Sequence, residues 1–164
     1  MNAAVRRGER ADLPRIVEIY NHYVEHSVVT FDTEPASVAT REDWFAAFGS
    51  GRHQLFVLLE ADRLVGYACS VPFRARAAYD RSVETSIYLA PALVGRGLGR
   101  RLYHRLLAAL DETDVHRAYG LITLPNPASV ALHERLGFTE VGRLGECGRK
   151  FDRWHDVALL ERPA

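Results

Sequence analysis

Apolar and polar residues follow one another along this chain in two periods, which are typical of strands and of helices. Strands are indicated where apolar residues recur at every second position, as in residues 83–89. Helices are indicated where they recur four positions apart, as Leu98, Leu102 and Leu106 do. The strand-like segments are 5–9, 54–60, 63–72, 83–89, 118–124, 140–144 and 153–160. With predicted helices between several of them, including one at 98–112, the pattern favours an α/β fold with one mixed sheet covered by helices.

Three polar residues mark predicted helix starts. Asp12 precedes an apolar stripe of helical spacing, and a cap of this kind satisfies free backbone N–H groups. Thr40 precedes a second helix, with Asp43 in a position close to a capping box. Asn126 precedes the last helix, which we expect to end just before Gly137.

Residues 94–101 form a glycine- and arginine-rich segment between a predicted strand and a predicted helix. Backbone N–H groups at such a turn point out of the positive helix end, and without Cβ atoms a phosphate oxygen can approach them closely. A dinucleotide fingerprint is excluded because Leu102 replaces its third glycine, and a P-loop because two arginines follow Gly99. The segment predicts a pyrophosphate-binding turn; the alternative is an ordinary strand-to-helix turn.

Composition narrows the classes of function. The 164 residues are 48% hydrophobic, enough for one sizeable core, so we expect a single domain over residues 1–164. Lys and Arg number 21, as do Asp and Glu, so no net charge attracts nucleic acid or a membrane. No signal-like or membrane-spanning segment is visible, which indicates a soluble, cytoplasmic protein. The histidines lack metal-ligand spacing and the cysteines lack a histidine partner motif, so we expect neither a metal nor a covalent cysteine intermediate.

Gly97-Leu98-Gly99 resembles the acetyl-CoA loop of the GCN5-related N-acetyltransferases (GNAT), Q/R-x-x-G-x-G/A, with Val94 in place of the usual Gln or Arg. Further segments resemble one subfamily, the phosphinothricin and methionine sulfoximine acetyltransferases. They are 19–24, 73–80, 83–88, 124–126, 132–134 and 154–157. The resemblance implies the GNAT fold, a mixed and mostly antiparallel sheet of about seven strands flanked by about four helices. It also implies acetyl-CoA as co-substrate and a homodimer.

The resemblance assigns coenzyme contacts to three places. The pyrophosphate would lie on the turn formed by Gly95, Arg96, Gly97, Leu98, Gly99 and Arg100, where the charge of Arg96 would replace that of the missing family side chain. The pantetheine arm would follow the strand backbone at Ile87, Tyr88 and Leu89. Asn126 is implied as a further contact, in competition with its predicted role as a helix cap.

Glu84 and His133 are the candidate catalytic residues. Glu84 lies on the strand face opposite Val83 and Thr85, and a carboxylate inside a sheet is costly unless it has a role. By resemblance it is the general base for the acceptor ammonium; the alternative is a solvent-facing glutamate on an edge strand. His133 stands where many relatives have a tyrosine acting as general acid, and imidazole titrates near neutral pH. Its alternatives are a base relay, a substrate contact or a purely structural helix histidine.

Arg74, Arg76 and Tyr79 form the candidate acceptor-recognition group, in the loop 73–81. Guanidinium groups bind carboxylate, phosphinate or sulfonyl-type oxygens through paired hydrogen bonds. The alternative is a solvated basic loop. Phe31, either a pocket wall or a core residue, completes the candidate acceptor site together with Glu84 and Thr85.

The sequence therefore predicts an acetyl-CoA-dependent N-acetyltransferase for a small amino-acid-like amine, by direct transfer in a ternary complex. The candidate acceptors are phosphinothricin, a resistance-type substrate, methionine sulfoximine and methionine sulfone. One alternative is the same fold acting on a polyamine, an aminoglycoside or a protein N-terminus. Another is a non-catalytic acyl-CoA-binding sensor.

Overall fold

The computed structural model describes residues 3–164, which form a seven-stranded sheet with helices on both faces. The strands are β1 (Ala3–Arg7), β2 (Leu55–Glu60), β3 (Arg63–Pro72), β4 (Ser82–Leu89), β5 (Arg117–Thr123), β6 (Thr139–Lys150) and β7 (Arg153–Pro163). The helices are α1 (Leu13–His26), α2 (Glu42–Ala46), α3 (Leu98–Leu110) and α4 (Pro127–Arg135). In this part of the chain, no helix has the length and apolar character needed to cross a membrane.

The strand order is β1-β2-β3-β4-β5-β7-β6, and only the central pair, β4 and β5, is parallel. These two strands are paired only from Ser82 opposite Arg117 to Glu84 opposite Tyr119. Beyond that point β4 stays paired with β3 as far as Leu89, while β5 stays paired with β7. A gap therefore opens in the middle of the sheet, directly after Glu84.

Two apolar clusters cover the two faces of the sheet. On one face α3 contributes Leu102, Leu106 and Leu110, each 0% exposed. Full burial of one such side chain stabilises the fold by about 1.5–3 kcal/mol, so this stripe fixes α3 on the sheet. On the other face Ile16 and Ile19 of α1 pack with aromatic residues of β3 and β4.

Helix α1 begins directly after Asp12 as predicted, but two of the three predicted side-chain caps, at Asp12 and Thr40, are not formed. The Asp12 carboxylate does not cap α1; it accepts hydrogen bonds from the Arg6 guanidinium, at 2.6 and 2.8 Å, and from the Glu9 amide, at 2.8 Å. Thr40 lies in a 3₁₀ turn ahead of α2, and its hydroxyl oxygen accepts from the Ser37 amide at 3.0 Å. Both side chains thus bond to residues that precede them in the chain.

Strand β6 is much longer than the predicted segment at 140–144. Most of its side chains are exposed, and its pairing with β7 is interrupted between Leu144 and Gly148, where Glu146 has a φ of 47°. A polar, glycine-containing edge strand with a bulge shows little alternation, which is why the pattern revealed only its first part.

Candidate active site

A cavity of about 710 Å³ lies in the gap between β4 and β5. Its wall includes Tyr23, Val29 and Tyr88 from the α1 side and Leu132 and His133 from α4. The clusters packed with these elements lie on opposite faces of the sheet. The cavity therefore passes through the sheet, and two molecules entering from opposite faces can meet in it.

The glycine turn lies at one end of this cavity. Gly95 and Gly97 line it with φ values of 87° and 76°, in the left-handed region that favours glycine. Gly97 is the N-cap of α3 and provides no side-chain cap, so the first amides of the helix are available to an anion. A Cβ on Gly95 or Gly97 would meet no other atom within 4 Å, which leaves room for a bound group. The turn thus has the backbone chemistry of a pyrophosphate site.

The arginines of the turn differ in their surroundings. Arg100 lines the cavity. Arg96 forms a two-pronged ion pair with Glu60 at the end of β2, with N–O distances of 2.8 and 3.0 Å. Its guanidinium is paired there, and Arg96 is not among the residues that line the cavity. It instead joins the glycine turn to the end of β2.

Strand β4 forms one of the two edges that border the gap. Ile87, Tyr88 and Leu89 line the cavity, and no residue of β5 is paired with them. Backbone groups that face the gap can bind an extended amide-containing chain as a strand would. One carbonyl is already occupied, because the Tyr23 hydroxyl donates to the Leu89 oxygen at 2.6 Å.

Asn126 caps α4 as predicted: its side-chain oxygen accepts from the Ser129 amide at 3.1 Å. Its side chain also lines the cavity. The amide has a separate NH₂ end with two donors, so capping α4 leaves donors for a second partner. The two expected roles are therefore compatible, because they would use opposite ends of the side chain.

Glu84 is half-buried on the same strand face as Tyr88, at the last residue pair before the gap. Burial raises the pKa of its carboxyl group, and the nearby charge of Arg74 partly opposes that effect. A glutamate with a raised pKa is a stronger base than an exposed one. Glu84 does not line the cavity itself, but it lies beside the opening with a basicity that suits proton abstraction there.

His133 is 4% exposed, and both of its ring nitrogens have partners. Nδ1 lies 2.8 Å from the Ser129 carbonyl oxygen, and Nε2 lies 3.0 Å from the Tyr103 hydroxyl. Burial lowers the pKa of the ring, and the Ser129 carbonyl opposes this. Close behind lies Gly120 of β5, where any Cβ would fall 2.7 Å from Nε2.

Thr85 lies on the opposite strand face from Glu84 and is buried. Its hydroxyl lies 2.6 Å from that of Tyr103 and 3.1 Å from the Tyr119 carbonyl oxygen. Although Thr85 lines the cavity, this hydroxyl is already engaged within the protein.

The predicted acceptor loop lies near Glu84, but none of its residues line the cavity. Arg74 lies over the Phe73 ring, 4.2 Å from its centre, while Arg76 and Tyr79 are exposed. Phe31 is half-buried and packs against Gly148 of β6, also outside the cavity wall.

Two buried polar side chains were not predicted from the sequence. Tyr103 looked like one more apolar residue of the α3 stripe, yet its hydroxyl bonds to Thr85 and His133. Lys150 is 4% exposed, and its ammonium donates to the Thr30 carbonyl at 2.8 Å and the Tyr23 carbonyl at 3.5 Å. No local pattern marks a lysine as buried, because its acceptors lie more than 100 residues away in the chain.

A sheet opened between two parallel strands, with a glycine turn at the helix that follows, is the arrangement expected from the resemblance to the N-acetyltransferases. The sequence matches the acetyltransferase (GNAT) domain family over residues 5–159. Phosphinothricin N-acetyltransferase of Streptomyces coelicolor is 47% identical over 162 residues, which are 97% of this chain and 95% of that protein. The chain belongs to the GNAT acetyltransferase family, and its class is that of an N-acetyltransferase.

Two further relatives extend the comparison. L-methionine sulfoximine/L-methionine sulfone acetyltransferase of Pseudomonas paraeruginosa is 32% identical, with 98% of this chain and 94% of that protein covered. A crystal structure of a GNAT phosphinothricin acetyltransferase from Sinorhizobium meliloti, in complex with AcCoA, has a TM-score of 0.92 and 34% identity. The match covers 99% of this chain and 89% of that one. The predicted fold and family are thereby confirmed.

Proposed function

We propose that this protein transfers the acetyl group of acetyl-CoA to the amino group of a small amino-acid-like acceptor, within a ternary complex. The observation that carries the proposal is the cavity that crosses the sheet between β4 and β5. It has an anion-binding turn at one end, and Glu84 stands where the gap begins. Relatives at 47% and 32% identity are named for phosphinothricin and for methionine sulfoximine and methionine sulfone, which are our candidate acceptors.

The residues present fit the coenzyme. Amides of the turn from Gly95 to Arg100 bind the pyrophosphate, with Arg100 adding positive charge at the cavity. The free edge of β4 at Ile87, Tyr88 and Leu89 and the NH₂ group of Asn126 hold the pantetheine arm. When bound, acetyl-CoA supplies a thioester carbonyl that an amine can attack. The protein's contribution is to hold both substrates in line, which in ideal cases supplies roughly 7–11 kcal/mol.

Glu84 accepts the proton that the acceptor ammonium must lose before it can attack, directly or through water. Its raised pKa supports this role, because the carboxylate is half-buried beside the gap. His133 exchanges a proton at the α4 side of the cavity, where the leaving sulfur needs one.

Arg74 and Arg76 bind the acidic head of the acceptor through their guanidinium groups, with Tyr79 and Phe31 as further candidate contacts. Thr85, whose hydroxyl is bonded to Tyr103 and the Tyr119 carbonyl, can offer only its methyl group to the acceptor. The charge of Arg74 already acts on Glu84, which ties the loop to the proposed base. Two arginines also disfavour a polycationic acceptor.

A homodimer and a cytoplasmic location complete the proposal. Apolar side chains are exposed along β6 and β7, namely Val141 at 48%, Leu144 at 47% and Trp154 at 59%. Such a surface is typical of a protein–protein contact, and light scattering after size exclusion would give the mass in solution.

The test is release of free CoA from acetyl-CoA with single acceptors: phosphinothricin, methionine sulfoximine, methionine sulfone, the parent amino acids, spermidine and a short peptide. We expect turnover with the first three and the acetylated product by mass spectrometry. Turnover only with spermidine or the peptide would contradict the acceptor assignment. Coenzyme binding without turnover of any acceptor would favour the sensor alternative.

A further inference from the structure

A buried chain of hydrogen bonds runs from β5 through β4 and α3 to α4, and we name it the Thr85–Tyr103–His133 chain. Its contacts are Tyr119 carbonyl to Thr85 hydroxyl at 3.1 Å, Thr85 to Tyr103 hydroxyl at 2.6 Å, Tyr103 to His133 Nε2 at 3.0 Å, and His133 Nδ1 to Ser129 carbonyl at 2.8 Å. Thr85, Tyr103 and His133 are 3%, 0% and 4% exposed. Water therefore has little access to these polar groups, and their hydrogens must be placed among themselves.

The two ends of the chain are carbonyl oxygens, which only accept hydrogen bonds. Four contacts lie between these ends, whereas a neutral imidazole and two hydroxyls carry only three hydrogens between them. Nδ1 must carry one of these hydrogens, since its partner is the Ser129 carbonyl. With His133 neutral, Tyr103 then donates to Nε2 and Thr85 donates to Tyr103, which leaves the longest contact, to the Tyr119 carbonyl, without a hydrogen.

Protonation of His133 reverses the direction of the chain. Nε2 then donates to Tyr103, Tyr103 donates to Thr85, and Thr85 donates to the Tyr119 carbonyl. Every contact now holds one hydrogen, and no donor is left over. The chain thus has a complete arrangement for each charge state of His133, and the two differ by one proton.

The charged and titratable groups near the chain come from several elements. Arg162 of β7 acts on Tyr103 as a positive charge and is itself paired with Asp111 at 2.7 Å. Glu84 of β4 and Cys69 of β3 act on Tyr103 from the other side of the sheet. His133 itself packs edge-to-face on the Phe138 ring, with 5.0 Å between ring centres, and among the described residues no carboxylate forms a hydrogen bond or salt bridge with it. The imidazolium therefore depends on the chain for its stabilisation.

We propose that Thr85 and Tyr103 are positioning residues that let His133 take up and release a proton beside the cavity, by reversing the direction of this chain. Protonation forms one covalent N–H bond at Nε2, with the proton taken from solvent or substrate, while the hydroxyl hydrogens of Tyr103 and Thr85 turn to their new acceptors; release of the proton reverses these changes. The link to turnover rests on the function proposed above, whereas the titration of His133 belongs to the free protein.

Thr85→Val separates the two charge states, with Thr85→Ser as the matched control. Valine keeps the shape and strand preference of threonine, and the neutral chain keeps its bond from Tyr103 to Nε2. In the protonated state, however, the Tyr103 hydroxyl loses its acceptor, and a buried donor without a partner is costly. We expect the pKa of His133 to fall by about one pH unit in Thr85→Val and to stay unchanged in Thr85→Ser.

The measurement is a pH titration of the ring nitrogens by NMR on protein labelled with ¹⁵N-histidine, without substrates. The His133 signals are assigned from their loss in His133→Gln, since the chain has seven histidines. Equal titration of His133 in Thr85→Val and the wild type would overturn the proposal, as would a wild-type His133 that stays neutral down to acid unfolding.

Tyr103→Phe provides a second variant should Thr85→Val fail to fold, which circular dichroism would reveal. The neutral ring loses the donor to Nε2 and the imidazolium loses the acceptor of Nε2–H; because a hydrogen bond from a charged group is the stronger of the two, the pKa of His133 should fall here as well. An unchanged pKa would overturn the proposal. Because these readouts need no acetyl transfer, failure of every acceptor in the turnover assay would contradict the proposed function without altering the titration result.

Discussion

Glu84 illustrates how a single position can set the basicity of a side chain. It is the last residue of β4 that has a partner on β5, so its carboxylate lies half-buried where the sheet opens. We expect Glu84→Gln to lower kcat by about 10²–10⁴-fold, because proton abstraction is lost. The dissociation constant of acetyl-CoA, measured by calorimetry, should remain that of the wild type. Glu134→Gln, an exposed change on α4, is the control.

The pH dependence of turnover follows from the same residue. A base works only when deprotonated, and burial raises the pKa of Glu84. Activity should therefore fall, as pH decreases, at a higher pH than an exposed glutamate would give. This acidic limb of the kcat/KM profile should disappear from the residual activity of Glu84→Gln. A limb that persists unchanged in the variant would assign it to another group.

Lys150 ties the β6–β7 hairpin to the end of α1 and to the segment that carries Phe31. Lys150→Met removes its bonds to the Thr30 and Tyr23 carbonyls, and leaving a buried acceptor without a donor costs roughly 1–3 kcal/mol. We expect a loss of unfolding free energy of that size in urea denaturation. Arg149→Met, at an exposed neighbouring position, should change it by less than about 0.5 kcal/mol. Equal effects of the two variants would argue against the role of Lys150.

At the scale of elements, we expect a substitution in the glycine turn to weaken coenzyme binding while the protein still folds. Gly97→Ala places a Cβ where no other protein atom lies within 4 Å, but at a φ of 76°. The left-handed conformation costs roughly 1–2 kcal/mol for alanine. We expect a folded variant with at least tenfold weaker acetyl-CoA binding, since the Cβ occupies the approach to the helix amides.

Gly49→Ala is the matched control for that variant. Its Cβ also meets nothing within 4 Å, but Gly49 has no positive φ and lies outside the cavity wall. Coenzyme affinity should stay at the wild-type value. Unchanged affinity in Gly97→Ala as well would contradict the assignment of the turn to the pyrophosphate.

Elements whose signals are local were predictable from the sequence. The alternation in β4, the leucine stripe of α3 and the Asn126 cap each depend on residues a few positions apart. The side chains of Asp12 and Thr40 do not cap the α-helices because each bonds to residues that precede it in the chain, which a cap pattern does not exclude. The hydrogen-bond chain was invisible, since Thr85, Tyr103 and His133 meet only after the sheet and two helices are assembled.

For the molecule as a whole, the resemblance indicated the fold more reliably than it indicated side-chain geometry. It assigned a positive charge at the pyrophosphate to Arg96, whose partner is Glu60, from the hairpin of β2 and β3. It left open two roles for Asn126, of which the structure shows the helix cap. Side-chain contacts of this kind depend on which residues come together in the folded protein, and a short sequence motif does not specify them.

Along the gap, β4 and β5 lack the backbone hydrogen bonds that they would form with each other in a closed sheet. An extended coenzyme arm lying along β4 would act as a surrogate strand that joins the two halves of the sheet. Stability should then be coupled to coenzyme supply, and at 100 times the dissociation constant acetyl-CoA should add about 2.7 kcal/mol to the unfolding free energy. Thermal unfolding with and without acetyl-CoA would measure this gain. In Gly97→Ala, the same gain should require a higher coenzyme concentration. In a cell, the lifetime of this protein would then follow the acetyl-CoA level.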